Sequence, residues 1–166
     1  MKELKLLDDG KSFRDASFKI IKESSFFESF NDEEIDVLAK WFRAYSADTG
    51  CTVLHEGDNS NCLCIITDGN INIFKGLPND EQLKIAEVRS GESIGEMGII
   101  DGEPFSASAI ASIDSTVLLI TREDFEDIVK QNNEIGNKLL WILSKILTAR
   151  LRHTTERLAS LLTGKK

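Results

Sequence analysis

The chain has 166 residues, 41% of them hydrophobic, enough for one packed core and too few for a second large domain. Its 20 Lys and Arg stand against 28 Asp and Glu, and the net charge of −8 repels polyanions, which argues against direct nucleic-acid binding. Lys2, Glu3 and Lys5 interrupt the N-terminal leucines as no signal peptide would, and no apolar run of about 18 residues could span a bilayer, so a soluble, cytoplasmic protein without a membrane partner is expected.

From Phe13 to Phe27 the apolar residues recur at helical spacing, and a second helix follows. Asn31 is its N-cap, Glu34 completes a capping box, and Ile35, Leu38, Ala39 and Phe42 form its buried stripe. Five of the nine phenylalanines fall between Phe13 and Phe30, which predicts an aromatic cap packed on the sheet that follows. After Gly50 the period becomes strand-like, with runs at Thr52 to Leu54, Leu83 to Val88, Ala107 to Ser112 and Thr116 to Ile120. Asp68-Gly69 reads as a type I′ hairpin turn within Cys62 to Phe74. The pattern predicts a mainly β fold with flanking helices, an antiparallel barrel or jelly roll. Cys51, Cys62 and Cys64 lack metal-ligand spacing and are expected as small core hydrophobes, Cys62 and Cys64 on one strand face; redox sensing or haem ligation with His55 is the alternative. No metal site is expected.

Thr121 and Asp124 cap a further helix carrying Phe125 and Ile128, which ends in a turn at Gln131 to Asn133. From Glu134 to Leu162 one helix of about 40 Å is predicted, longer than a small domain is wide. Leu140, Leu147, Leu151, Thr154, Leu158 and Leu161 fall on three- and four-residue steps, with Ser144 the weak position. This is the spacing of a homodimer seam, and an ordinary helix packed on its own domain is the alternative. Leu143 and Ile146 are placed to face the barrel.

The segment from Arg89 to Gly102 holds Gly91, Gly95, Gly98 and Gly102 immediately after a strand. Backbone without Cβ atoms lets a ligand approach the main chain, and a helical turn starting near Glu96 would direct N–H groups at an anion. Taken alone, such a loop is more often only a turn.

The order of these elements resembles the cyclic-nucleotide-binding domains of the catabolite activator protein and of protein kinase A regulatory subunits. The matching residues are Gly50, Glu56-Gly57-Asp58, Gly69, Gly91, Gly95, Glu96 and Pro104 to Ala109, over about residues 25 to 160. The resemblance implies a jelly-roll barrel over 25–132 with a phosphate-binding cassette at 91–109, preceded by a tail and helix over 1–24 and followed by a dimerisation helix over 133–166. It also implies a regulatory rather than catalytic role, with a cyclic nucleotide (cyclic AMP or cyclic GMP) or another small effector as ligand. Gly95 and Met97 would offer N–H groups to the phosphate, Glu96 would hold the ribose 2′-hydroxyl, and Ser106 would add a donor; Thr154 and Thr155 would either meet the purine across the dimer or be solvent-facing threonines, one of them fixing the register of the seam.

One position departs from the pattern: Phe105 stands where the family has its phosphate-binding arginine, and a barrel-lip ring filling the space of arginine and phosphate is expected there ahead of a pocket altered for a less anionic effector. Glu96, Asp101 and Glu103 nearby would further oppose an anion, with Arg89, Arg150 and Arg152 the conceivable replacements. Two regulatory readings follow. The chain is either a sensor with weakened or altered ligand binding, or a ligand-independent homodimeric interaction module that engages a protein partner. A transcription factor of this family would need a helix-turn-helix domain after the dimer helix, and the sequence ends at Lys166. An enzyme is not expected: His55 and His153 are the only histidines, no nucleophile or metal motif accompanies them, and the pairs Glu33-Glu34 and Glu123-Asp124 are explained as helix starts.

Overall fold

Short β-rich runs broken by glycines build two antiparallel sheets in the computed structural model, which describes residues 4–7, 13–79 and 81–164. Lys2, Glu3, Lys165, Lys166 and the side chain of Phe13 lie outside the described residues. The strands are β1 (Lys5–Leu6), β2 (Arg43–Ala47), β3 (Thr52–Leu54), β4 (Cys62–Asp68), β5 (Asn70–Gly76), β6 (Gln82–Arg89), β7 (Ser93–Ile94), β8 (Ser108–Ala111) and β9 (Ser115–Thr121). The helices are α1 (Phe13–Glu23), α2 (Asp32–Leu38), α3 (Glu96–Asp101), α4 (Arg122–Gln131) and α5 (Asn133–Thr163). One sheet has the order β1-β2-β9-β4-β7 and the other β3-β8-β5-β6, the face-to-face arrangement of a jelly roll.

The expected hairpin at Asp68-Gly69 is not there. Asp68 still pairs with Thr116 in β9, while Asn70 already pairs with Arg89 in β6, so the two strands belong to different sheets. One residue between them is too few for a two-residue turn. Gly69, at φ 91°, is a corner packed on Ser115, where a Cβ would lie 2.7 Å from the Ser115 Cα. The Asn70 N–H donates to Ser115 Oγ at 3.1 Å, which fixes the corner. The hairpin that does form is β5–β6, closed where the Leu77 N–H donates to the Glu81 carbonyl at 2.8 Å.

β4 shows why the chain changes sheets here. Its run from Cys62 to Ile66 is buried throughout, so it needs a covering layer on each face. Cys62, Cys64 and Ile66 point into the barrel with Val53, Leu54, Ile71, Val88, Ile94 and Val117. The N-terminal helices supply the outer layer: α1 packs on β2 and β4, and Phe27 stacks edge-on against Phe26 at 4.9 Å and Phe42 at 5.3 Å. The Asn31–Glu34 capping box forms as expected, both bonds at 2.9 Å. Two helices are shorter than their stripes predict. The first gives way to a 3-10 turn at Ser25–Phe27, and α2 stops at Leu38, so Phe42 reaches the core from the segment leading into β2. All three cysteines are buried; burial pushes the Cys62 thiol up to about 11 and the Cys64 thiol well above its ordinary value, which suppresses the reactive thiolate.

On the outer face of β5 and β6, Asn70, Lys84 and Arg89 converge on Glu87 at 2.9, 2.9 and 3.1 Å. The Asn70 hydrogen bond, then those of Lys84 and Arg89, pull its carboxyl from 4.5 to about 2. A carboxyl whose folded pKa is depressed stabilises the fold above its unfolded pKa and loses that contribution as pH falls through the folded value. In denaturant titrations, Glu87→Gln is therefore expected to decline less steeply between pH 4.5 and about 2 than the wild type. Parallel curves would mean the three partners give no net stabilisation.

The chain forms two compact units, 1–127 and 128–166. In the second, Asn132 caps α5 by accepting from the Ile135 N–H at 3.3 Å, and Gly136 lets α4 and α5 approach, since a Cβ there would lie 2.7 Å from the Val129 Cα. α5 is 31 residues long, about 46 Å at 1.5 Å per residue. Ile135, Leu139 and Leu143 are buried, Ile146 is half-buried, and every residue from 148 to 164 is exposed. Among the described residues no helix is long and apolar enough to cross a membrane, and no His, Cys, Asp and Glu cluster could hold a metal.

Candidate functional site

The loop after β6 folds as its glycines predict. Gly95, at φ 83°, is the N-cap of α3 and lies against β4, where a Cβ would come within 2.2 Å of the Cys62 carbonyl oxygen. Only glycine fits, and its absence of side chain brings the first turn of α3 down onto the barrel. Glu96 begins that turn with its side chain buried, 2% exposed, while Met97 points outward at 52%. The N–H groups of a first turn have no acceptor within their own helix. Asn61 props the far end, donating from Nδ2 to the Gly102 carbonyl at 3.0 Å.

The return arm is stitched to the loop after β3. The Gly57 N–H donates to the Phe105 carbonyl at 2.9 Å, the Phe105 N–H to the Asp58 carbonyl at 3.1 Å, and the Glu56 N–H to Ser108 Oγ at 3.0 Å. Ser106 is exposed, and its Oγ lies 4.0 Å from the Met97 sulfur, so the two arms of the cassette meet there. Four residues expected at the site, Gly95, Glu96, Met97 and Ser106, are thus on one loop with its arms in contact.

Phe105 turns the other way. Its ring is 6% exposed and belongs to the barrel's apolar cluster with Val53, Leu54, Cys62 and Ile94. Burial of about one aromatic side chain stabilises by roughly 2–3 kcal/mol, so the residue that carries no charge to the cassette instead closes the core beneath it.

The charges around the loop differ from those expected. Asp101 and Glu103 are exposed at the end of α3 opposite Gly95, about 9 Å along a six-residue helix, so only Glu96 is a buried acid at the loop. Arg89 is engaged by Glu87, and Arg150 and Arg152 lie on the exposed part of α5 in the second unit. Thr154 and Thr155 lie there too, with the Thr155 hydroxyl donating to the Leu151 carbonyl at 2.8 Å. The cation that sequence spacing missed is Lys75: its ammonium donates to the Ser106 carbonyl at 2.7 Å and pairs with Glu56. Glu56 also accepts from the Gly76 N–H at 2.8 Å, and Lys75, then Gly76, hold its carboxyl below the usual range. His55 borders this group, exposed, with Nδ1 2.9 Å from the Glu56 carbonyl.

Residues 45–132 match the cyclic nucleotide-binding domain family, more than half of the chain. The chain belongs to that family. A cyclic nucleotide-binding domain from Methylobacillus flagellatus KT shares 33% identity and superposes with a TM-score of 0.77, covering 93% of this chain and 86% of that one. The Cyclic AMP receptor protein of Thermus thermophilus is 26% identical over 127 residues, 76% of this chain and 59% of that protein. Lysophospholipase NTE1 of Chaetomium globosum is 26% identical over 118 residues, 71% of this chain but only 7% of the enzyme. The similarity therefore covers the cyclic nucleotide-binding module and not the whole length of either curated relative.

Proposed function

We propose that this cyclic nucleotide-binding domain is a non-catalytic sensor whose cassette, residues 94–108, takes a cyclic nucleotide or related small effector with weakened affinity. The observation that supports it is the division of labour within one loop. Gly95, Glu96, Met97 and Ser106 line the two arms, while Phe105 is withdrawn into the core. A charge-assisted contact in a desolvated site is worth about 2–5 kcal/mol, so its absence weakens binding roughly thirtyfold to several thousandfold. Micromolar affinity would become about millimolar. Titration calorimetry with cyclic AMP, cyclic GMP and a cyclic dinucleotide tests this; submicromolar binding by the wild-type chain would overturn the role given to Phe105.

In a second reading the chain is a homodimeric interaction module that binds no ligand, and its dimeric part is supported by one observation on α5. Leu151, Leu158 and Leu161 are 68%, 54% and 80% exposed and recur on the seam spacing that also includes Leu140, Leu147 and Thr154. A stripe of that size is costly in water unless a partner covers it. In this proposal a second copy of the chain covers it, with neither nucleic acid nor membrane as direct partner. Sedimentation at micromolar concentration is expected to give a dimer, and Leu151→Asp with Leu158→Asp a folded monomer. A monomeric wild type would remove the seam.

A further inference from the structure

We propose that Lys75 is the cation that meets the anionic group of a ligand at the cassette, a weaker partner than the arginine that position 105 lacks; this rests on the sensor reading above. Lys75 lies 31 residues before Ser106, and the strand pairing brings them together: Phe74 is opposite Ser108 in the β5–β8 ladder. The ammonium sits 2.7 Å from the Ser106 carbonyl, and the Ser106 hydroxyl faces Met97 on the other arm. An anion accepting from the Ser106 hydroxyl is therefore one residue's reach from the lysine head. That head is accessible, since the side chain is 47% exposed, and it has three N–H donors, two of which are assigned to Glu56 and Ser106.

The other cations on the barrel unit's cassette side are placed for different work. Arg122 covers Gly102 at the C-terminal end of α3 and bonds Glu126 at 3.0 Å, and Arg89 is held by Glu87. Lys75 alone among these adjoins the arm that carries Ser106. Its pairing with Glu56 also sets the ligand class. The pair is close to neutral, so it suits a singly charged phosphodiester better than a dianionic phosphate monoester, and a compact ammonium lacks the planar fork that grips two phosphate oxygens at once. A cyclic phosphodiester, from a mononucleotide or a dinucleotide, fits these terms.

Calorimetry on the full chain at low ionic strength, with cyclic AMP, cyclic GMP and cyclic di-GMP, tests the assignment and identifies which source of the phosphodiester is used. Lys75→Ala is expected to weaken binding about tenfold or more, as loss of a charged hydrogen bond does, and Lys75→Arg to keep it within a few-fold. Glu56→Gln separates a binding role from a structural one. Removing the competing carboxylate should leave affinity unchanged or raise it if the ammonium meets the ligand. If Glu56→Gln weakens binding as much as Lys75→Ala, the pair merely props Ser106 and the assignment fails. It also fails if Lys75→Ala binds as wild type does, and the sensor reading then stands. Absence of heat from the wild type with all three nucleotides at concentrations well above millimolar overturns the sensor reading itself.

Discussion

Gly95→Ala should destabilise the domain by about 3 kcal/mol, which lowers Tm by roughly 6–12 °C for a chain of this size. Two costs add. The residue sits at φ 83°, where an L side chain loses about 1–2 kcal/mol, and its Cβ would come within 2.2 Å of the Cys62 carbonyl, a backbone atom that cannot rotate away. Gly57 isolates the first cost, because it has φ 85° and open space around its Cβ position. Gly57→Ala should therefore lose only about 1 kcal/mol in the same thermal melts. Equal losses would show that the contact between α3 and β4 is soft. If the contact is as tight as the geometry indicates, the first turn of α3 must move off the barrel in Gly95→Ala, and ligand affinity should fall with stability.

Phe105→Arg should move stability and ligand response in opposite directions. Truncating a buried phenylalanine costs about 3–5 kcal/mol, and Phe105→Ala sets that scale here. The arginine variant keeps part of the apolar stem yet must carry its guanidinium out of a cluster in which the ring is 6% exposed, so it should melt below wild type without ligand. A ligand that binds only the folded chain returns about 2.7 kcal/mol at a hundred times its Kd. At 1 mM cyclic AMP the Tm of Phe105→Arg should therefore rise by several degrees, against little change for wild type. An arginine variant that is destabilised and still indifferent to every cyclic nucleotide would mean the defect of the cassette extends beyond the missing charge.

The withdrawal of Phe105 also shows what its own motif leaves open. The motif Pro104-Phe105-Ser106 states that no arginine is present; whether a phenylalanine there lines the cassette or the core depends on which way its backbone turns. That is decided by the paired bonds between Phe105 and the Gly57-Asp58 segment, 47 or more residues earlier in the chain. Lys75 escaped for the same kind of reason: nothing near it in sequence marks it as a neighbour of Ser106, and the β5–β8 register alone makes it one.

By itself the sequence determined whatever local chemistry can enforce. The capping box at Asn31 and Glu34, the start of α3 at the glycine N-cap, the strand periods and the long α5 all follow from hydrogen bonds or side-chain spacing within a few residues. Tertiary structure decided the pairing. Asp68-Gly69 has the composition of a hairpin turn, yet the fully buried run from Cys62 to Ile66 takes β9 and β7 as its neighbours, and the chain leaves for the other sheet at Gly69. A dipeptide fixes only its own torsions, whereas the choice of a strand's partner follows from how much apolar surface each arrangement buries across the whole barrel.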